Sequence, residues 1–265
     1  MRSGRQSPPS VPLAGDKMPA MILNIAAYHF VAIDDPDAVA ASLRERAEAG
    51  CLHGTVLVAG EGLNLFLAGE DVAVQVFLDA LRADPRFASI AVKASRSRAQ
   101  PFARLKVKIK PEIIAFRRDD AAPLDGRAPA VRPDVLARWI AQGHDDSGRR
   151  LVLLDTRNRE EVGYGTFAGA LALPIDNFTE LPDALAPHRD ALADATVVSF
   201  CTGGIRCEKA ALWMQADGMG NVLQLDGGIL GYFEQVGGFG YEGRCFVFDE
   251  RVALDAELRP LVDAL

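Results

Sequence analysis

Cys201 and Cys207 bracket Thr202, Gly203, Gly204, Ile205 and Arg206 in the stretch FCTGGIRCEKA. Four chemistries compete for such a segment: metal ligation, a disulfide, a phosphate cradle and a thiol nucleophile. The apolar run TVVSF before it reads as a buried strand, and CEKAALWMQAD after it as a helix closed by Gly218. Residues 201 to 206 then form a strand-to-helix loop. Its glycines let successive backbone N–H groups converge, and the helix adds its positive end. A thiol at the first position sits in that field, which lowers its pKa and stabilises a thiolate or a persulfide. Arg206 adds a cation at the rim, or grips an anionic group with two N–H donors.

The spacing weighs against two of the four. Five residues between cysteines is wide for one zinc knuckle and no second Cys or His pair follows, so no metal is expected. The loop between Cys201 and Arg206 is shorter than cysteine phosphatases use, which suits a sulfur atom better than a phosphoryl group. Cys207 has two readings, a small apolar residue in the first helical turn and a partner for Cys201 in thiol-disulfide chemistry.

A chain of 265 residues is long enough for two domains. Residues 1–20, rich in Pro, Gly and Ser, read as a disordered leader. From 21 to 118 the order is strand, helix, strand, strand, helix, strand, with a hairpin turn at Gly60-Glu61-Gly62, which predicts a ferredoxin-like (split βαβ) α+β domain. IAVKAS and LKVKIK supply its later strands. Residues 119–131 have linker composition. Over 132–250, short apolar strands such as LVLLD, ALALP, TVVSF and NVLQL alternate with helices, one of them near 180–193. This predicts a parallel-sheet α/β domain with its reactive groups in loops after the strand ends. Residues 251–265 read as a tail.

Composition narrows the setting. A net charge of -7 excludes a generic cationic binder of nucleic acid, so an anionic partner needs a local patch. Residues 93–118 supply one: Lys93, Arg96, Arg98, Arg104, Lys106, Lys108, Lys110, Arg117 and Arg118 stand against a single acid, Glu112. Alternating lysines also protect an edge strand, so this stretch is equally a solvated edge and a phosphate contact through Arg96, Arg98, Arg104, Lys106 and Lys108. Four scattered cysteines do not make a secreted disulfide framework, and the apolar run at 21–33 is too short to span a bilayer. The expected location is the cytoplasm, with no membrane partner.

LVLLDTRNREEVGYGTFAGALALP resembles the first half of a rhodanese domain, and FCTGGIRCEKA its cysteine loop. With AYHFVAI, GTVLVAGEGLN, RLKVKIKPEII, LDGGILGYFE and GRCFVFDERV, residues 22 to 254 resemble the rhodanese-domain tRNA uridine hydroxylases, the TrhO family. The resemblance implies an oxidoreductase that converts the wobble uridine of tRNA to 5-hydroxyuridine. Molecular oxygen would be the co-substrate, with no bound cofactor. The tRNA anticodon region would be the partner, together with a sulfur donor if Cys201 works as a persulfide. It makes Cys201 the active-site cysteine, with Arg206 and the amides of Thr202 to Cys207 as its cradle. Asp155 and Arg157 match a rhodanese strand-end pair that would hold the loop or line the pocket, although a helix cap and a surface ion pair fit them equally. Glu208 and Lys209 match the continuation of the loop. Cys245 matches a family strand, where packing is the first reading, and Tyr241 stands where tryptophan is common. A plain sulfurtransferase or persulfide carrier is the alternative activity.

Overall fold

A computed structural model describes residues 21–118, 121 and 123–262, so the leader read at 1–20 lies outside them. The first half forms β1 (Ile22–Phe30), α1 (Pro36–Ala49), β2 (His53–Ala59), β3 (Gly62–Gly69), α2 (Asp71–Arg82), β4 (Val92–Ser97) and β5 (Leu105–Ile109). The sheet order is β4-β1-β3-β2-β5, a split βαβ arrangement with β5 added parallel to β2 at the edge. Strand alternation sorts the residues onto two faces. Ile25, Ala27, Val56, Leu65 and Val107 pack under α1 and α2 with Leu43, Val74 and Phe77. On the opposite face Tyr28 aligns with Asn64, and Thr55 with Phe66 and Lys106. No helix of this domain covers that second face, and it turns toward the other half of the chain.

The second half forms β6 (Ala130–Val131), α3 (Pro133–Gln142), β7 (Leu151–Asp155), α4 (Arg159–Val162), β8 (Gly165–Phe167), β9 (Leu171–Ala172), α5 (Leu181–Leu185) and α6 (Arg189–Leu192). It continues with β10 (Thr196–Phe200), α7 (Ile205–Ala216), β11 (Val222–Leu225), α8 (Gly228–Val236), β12 (Tyr241–Gly243), β13 (Cys245–Phe246) and β14 (Ala253–Leu254). The main sheet runs β6-β11-β10-β7-β9, parallel throughout. Both faces are covered, by Leu154, Val197, Ala210 and Met214 on one side and Val198, Phe200, Ile229 and Tyr232 on the other. Every residue of the central strand β10 is buried, which explains Val197, Val198 and Phe200, while its two hydroxyls, of Thr196 and Ser199, donate to Asp145 and to the Leu223 carbonyl. Cys201 follows directly from its C-terminal end.

Four details depart from the sequence reading. The helix expected near 180–193 is broken into α5 and α6 by a short 3-10 turn at Ala186–His188, where Pro187 has no N–H to continue the ladder. Residues 130–131, inside the span read as a linker, are an edge strand paired with β11. Phe116 already packs against Phe178 and Trp213, with ring centroids 4.5 and 6.0 Å away. The span read as a tail also joins the second domain: β14 pairs with β13, and buried Arg251 bonds Asp249 at 2.6 Å and Ser95 of the first domain at 2.6 Å. Proline and glycine mark where regular elements stop. They do not mark where packing stops.

Candidate active site

The loop from Cys201 to Gly204 closes around the Cys201 sulfur. The amide of Gly204 donates to Sγ at 3.2 Å. Gly204 has φ 102°, and a Cβ there would lie 2.8 Å from the Tyr28 hydroxyl, so the position takes glycine for both reasons. From below, the amides of Ile229 and Leu230 in the first turn of α8 donate to the carbonyls of Cys201 and Thr202 at 2.9 and 3.0 Å. A Cβ on Gly228 would meet the Cys201 carbonyl at 2.6 Å, so α8 can approach this closely only with glycine at its start.

Both thiols are completely buried. Burial alone pushes the Cys201 thiol up. A hydrogen bond from the Cys207 thiol, the Arg206 charge and the amides of Arg206 and Gly204 outweigh it and bring the value down to about 6. Cys207 moves well above the usual thiol range, first through burial and then through donating to Cys201. The two cysteines therefore hold one proton between them, with the charge on Cys201. Thr156 Oγ1 lies 3.6 Å from Cys207 Sγ on the far side. Cys245 is buried in β13, and burial raises its thiol to about 12, so it stays protonated.

Arg206 corrects the sequence reading. Its guanidinium does not wait at the rim for an anionic group: Nη1 and Nη2 both bond Glu161, at 2.6 Å each, and the two side chains are 7% and 1% exposed. Glu161, which the motif did not single out, also accepts from the Thr202 hydroxyl at 3.4 Å and the Asn158 amide at 3.2 Å. Arg206 acts on Cys201 through its field while a carboxylate fixes its position. Two further charges of α7 are buried and partnered in the same way. Glu208 accepts from Arg127 at 2.8 Å and Gln224 at 2.7 Å, and Lys209 donates to Glu61 at 2.9 Å and Glu112 at 2.6 Å. Such charges are tolerated inside because each is paired.

Lys209 and Glu208 also join the domains. Glu61 lies in the hairpin turn before β3, and Tyr28 on β1 donates to Glu208 at 3.5 Å. Ile205 packs with Ala59 and Ile113, with Tyr28 and Phe30 against them. The phenol of Tyr28 is held well above its usual pKa by burial, then by the negative charges of Glu208 and Cys201, so it remains a donor. The helix-free face of the first domain is thus seated on the cysteine loop. Sequence spacing offers no signal for these pairs, because the partners stand 97 to 180 residues apart.

Asp155 and Arg157 are neither a surface pair nor a helix cap. Both are fully buried, joined at 2.6 and 2.9 Å, and they reach β8 through the Gly165 carbonyl at 2.6 Å and the Thr166 hydroxyl at 2.8 Å. They clamp the strand end beside the loop, and it is Thr156 between them that touches Cys207. Tyr241 donates to the same Gly165 carbonyl at 2.8 Å.

Comparison with known proteins agrees with this two-part arrangement. Residues 22–113 match the UPF0176 acylphosphatase-like domain, and residues 133–235 match the rhodanese-like domain. The chain is 72% identical over 243 residues to the tRNA uridine(34) hydroxylase of Xanthomonas campestris pv. campestris (strain 8004), covering 92% of this chain and 96% of the relative. It is 71% identical to that of Xanthomonas euvesicatoria pv. vesicatoria (strain 85-10), covering 92% and 98%. The protein of the same name from Xylella fastidiosa (strain 9a5c) is 63% identical, covering 92% and 95%.

The chain belongs to the tRNA uridine(34) hydroxylase family.

In this member of the family the basic segment divides. Lys93 lies 3.8 Å from Glu234, and Arg96 is bound by both oxygens of Asp71 at 2.9 and 2.6 Å. Arg98 is exposed just beyond β4. Arg104, Lys106 and Lys108 are exposed along β5 and form no side-chain hydrogen bond or ion pair among the described residues. Lys106 and Lys108 sit on the helix-free face, and Lys106 lines the seam between the domains. Among the described residues no helix is long and apolar enough to cross a membrane.

Proposed function

We propose that the chain carries out the reaction its relatives are named for, the oxygen-dependent hydroxylation of the wobble uridine of tRNA to 5-hydroxyuridine, with Cys201 as the reactive sulfur. Molecular oxygen is the co-substrate, the reading needs no bound cofactor, and the setting is the cytoplasm, where tRNA is found. A thiol titrating near 6 is a thiolate at neutral pH, ready to act directly or to carry a sulfur atom received from a donor. Thr202 to Cys207 hold it, and Asp155 with Arg157 brace the strand beside it. An anticodon nucleotide is a suitable target because a loop base can be splayed out without breaking a duplex. Arg104, Lys106 and Lys108 take the tRNA backbone, with Arg98, just beyond the opposite edge strand β4, as a further contact and Arg96 in a lesser role because Asp71 already holds it.

The observation that carries this reading is the seating of the first domain on the cysteine loop. Tyr28, Glu61 and Glu112 are all spent on residues of α7. A carrier that only relays sulfur has no use for a second domain built into its reactive loop. The test is nucleoside mass spectrometry of tRNA from a strain lacking this chain and any parallel route to the product. Complementation with the wild type restores 5-hydroxyuridine, and Cys201→Ser does not. Modification unaffected by the deletion overturns the hydroxylase reading. Sulfur transfer to cyanide or a thiol by a chain that leaves tRNA unchanged replaces it with the sulfurtransferase.

A further inference from the structure

At the β5 edge of the first sheet, the seam between the domains opens into a cleft of about 630 Å³. One wall carries Arg104 and Lys106, and the other carries Tyr164, Phe246 and Phe248. The three rings touch in sequence: Tyr164 and Phe246 have centroids 5.2 Å apart, and Phe246 and Phe248 lie 5.0 Å apart at 88°. Phe248 is 61% exposed and Tyr164 37% exposed. Scattered surface aromatics need no explanation, but connected rings lining a cleft opposite two cations that are unpaired among the described residues are poorly accounted for by packing. The cleft also has acids. Asp249 is held by Arg251 at 2.6 Å, whereas Glu160 and Glu250 are exposed on the ring side. The cations therefore favour a backbone phosphate on their own wall, and the acids discourage one on the other.

The ring wall is tied to the reactive loop. The Phe246 carbonyl accepts from the Thr202 hydroxyl at 3.4 Å, one residue from Cys201. Tyr164 follows α4, whose Glu161 holds Arg206. A ligand seated on the rings is thus bound to a surface that shares its frame with the cysteine loop.

We propose that this cleft holds an unpaired stretch of RNA flanking the target nucleotide, with a base stacked on Phe248 and Tyr164 and its phosphate against Arg104 and Lys106. Stacking on an exposed ring tolerates any base, because every base has a π-face, while the cations follow the backbone. The proposal rests on the reading that the chain acts on RNA. It adds a binding surface outside the cysteine loop and assigns the aromatic residues of the 246–248 segment to it.

The experiment measures binding of the full chain to a labelled anticodon stem-loop RNA, and to the same RNA made abasic at single loop positions, over a range of salt. Phe248→Ala is expected to weaken binding by about 5- to 100-fold with an unchanged salt slope, since a base contact releases no counterions. Arg104→Ala is expected to lower the salt slope by about 1. Phe248→Trp is expected to retain binding, and its added fluorescence, relative to wild type, is quenched by the intact RNA and not by one of the abasic forms. If the wild type binds RNA and Phe248→Ala binds as tightly, the cleft proposal is overturned while the RNA reading stands. Equal quenching by all abasic forms overturns stacking and leaves only backbone contact. A wild type that binds no RNA overturns the underlying reading and the cleft with it.

Discussion

The first turns of α7 and the strand β5 are both dense in charge, yet they use it in opposite ways. In α7, Arg206, Glu208 and Lys209 are buried and each is matched to a partner. Along β5, Lys106 and Lys108 are exposed and unmatched among the described residues. A buried charge that is paired sets the field and geometry of its surroundings and is not free to take a ligand. An exposed charge without a partner contributes little to the fold and is available to one. The cysteine loop is therefore a preorganised site, whereas β5 presents exposed cations that no partner among the described residues has taken up.

The largest expected effect comes from breaking a pair in α7. Glu161→Ala leaves Arg206 buried without its carboxylate, a loss of about 3–5 kcal/mol. For a chain of this size that lowers Tm by on the order of 10 °C. Thermal unfolding measures it, and a shift within experimental error would show that Arg206 finds water or another acceptor, which would erase the contrast with β5.

Titration of Cys201 sharpens the same contrast. A thiol whose pKa is lowered is protonated below that value and ionised above it, so the thiolate appears as pH rises through about 6. Ultraviolet thiolate absorbance of wild type minus Cys201→Ser should show this midpoint. A midpoint near the free-cysteine value of about 8.5 would mean that burial defeats the Cys207, Arg206 and amide contributions. The smallest effects belong to the basic segment. Lys106→Ala with Lys108→Ala should leave Tm unchanged and reduce the salt slope of tRNA binding by about one per cation. Arg96→Ala, whose charge Asp71 already matches, should leave Tm unchanged and move the slope by less than either lysine. An Arg96→Ala slope change as large as that of the lysines would move the interface toward β4.

Local pattern reached much of this in advance because its signals are local. The apolar run TVVSF, the glycines at 203 and 204 and the helix after them fix a strand-loop-helix unit, and Cys201 is found at its turn. The alternation in LKVKIK likewise puts its lysines on one side of a strand. Where a residue's role depends on what lies across space, the pattern was silent or misleading. Arg206 read as a free cation because Glu161 stands 45 residues earlier. For Asp155 and Arg157 the pattern leaves a brace for the loop and a surface pair equally open, and only the packing of β8 over them makes them fully buried.

Local sequence is enough for the two fold classes, the strand-to-helix setting of Cys201 and the concentration of cations after residue 92. These follow from hydrophobic period, glycine and charge along a few consecutive residues. Tertiary structure decided which charges are used up, that Cys207 donates to Cys201, and that Tyr28, Glu61 and Glu112 of the first half complete the surroundings of a loop in the second. Desolvation and pairing energies depend on distance in space, and these groups are brought together by the packing of one domain on the other rather than by their separation along the chain.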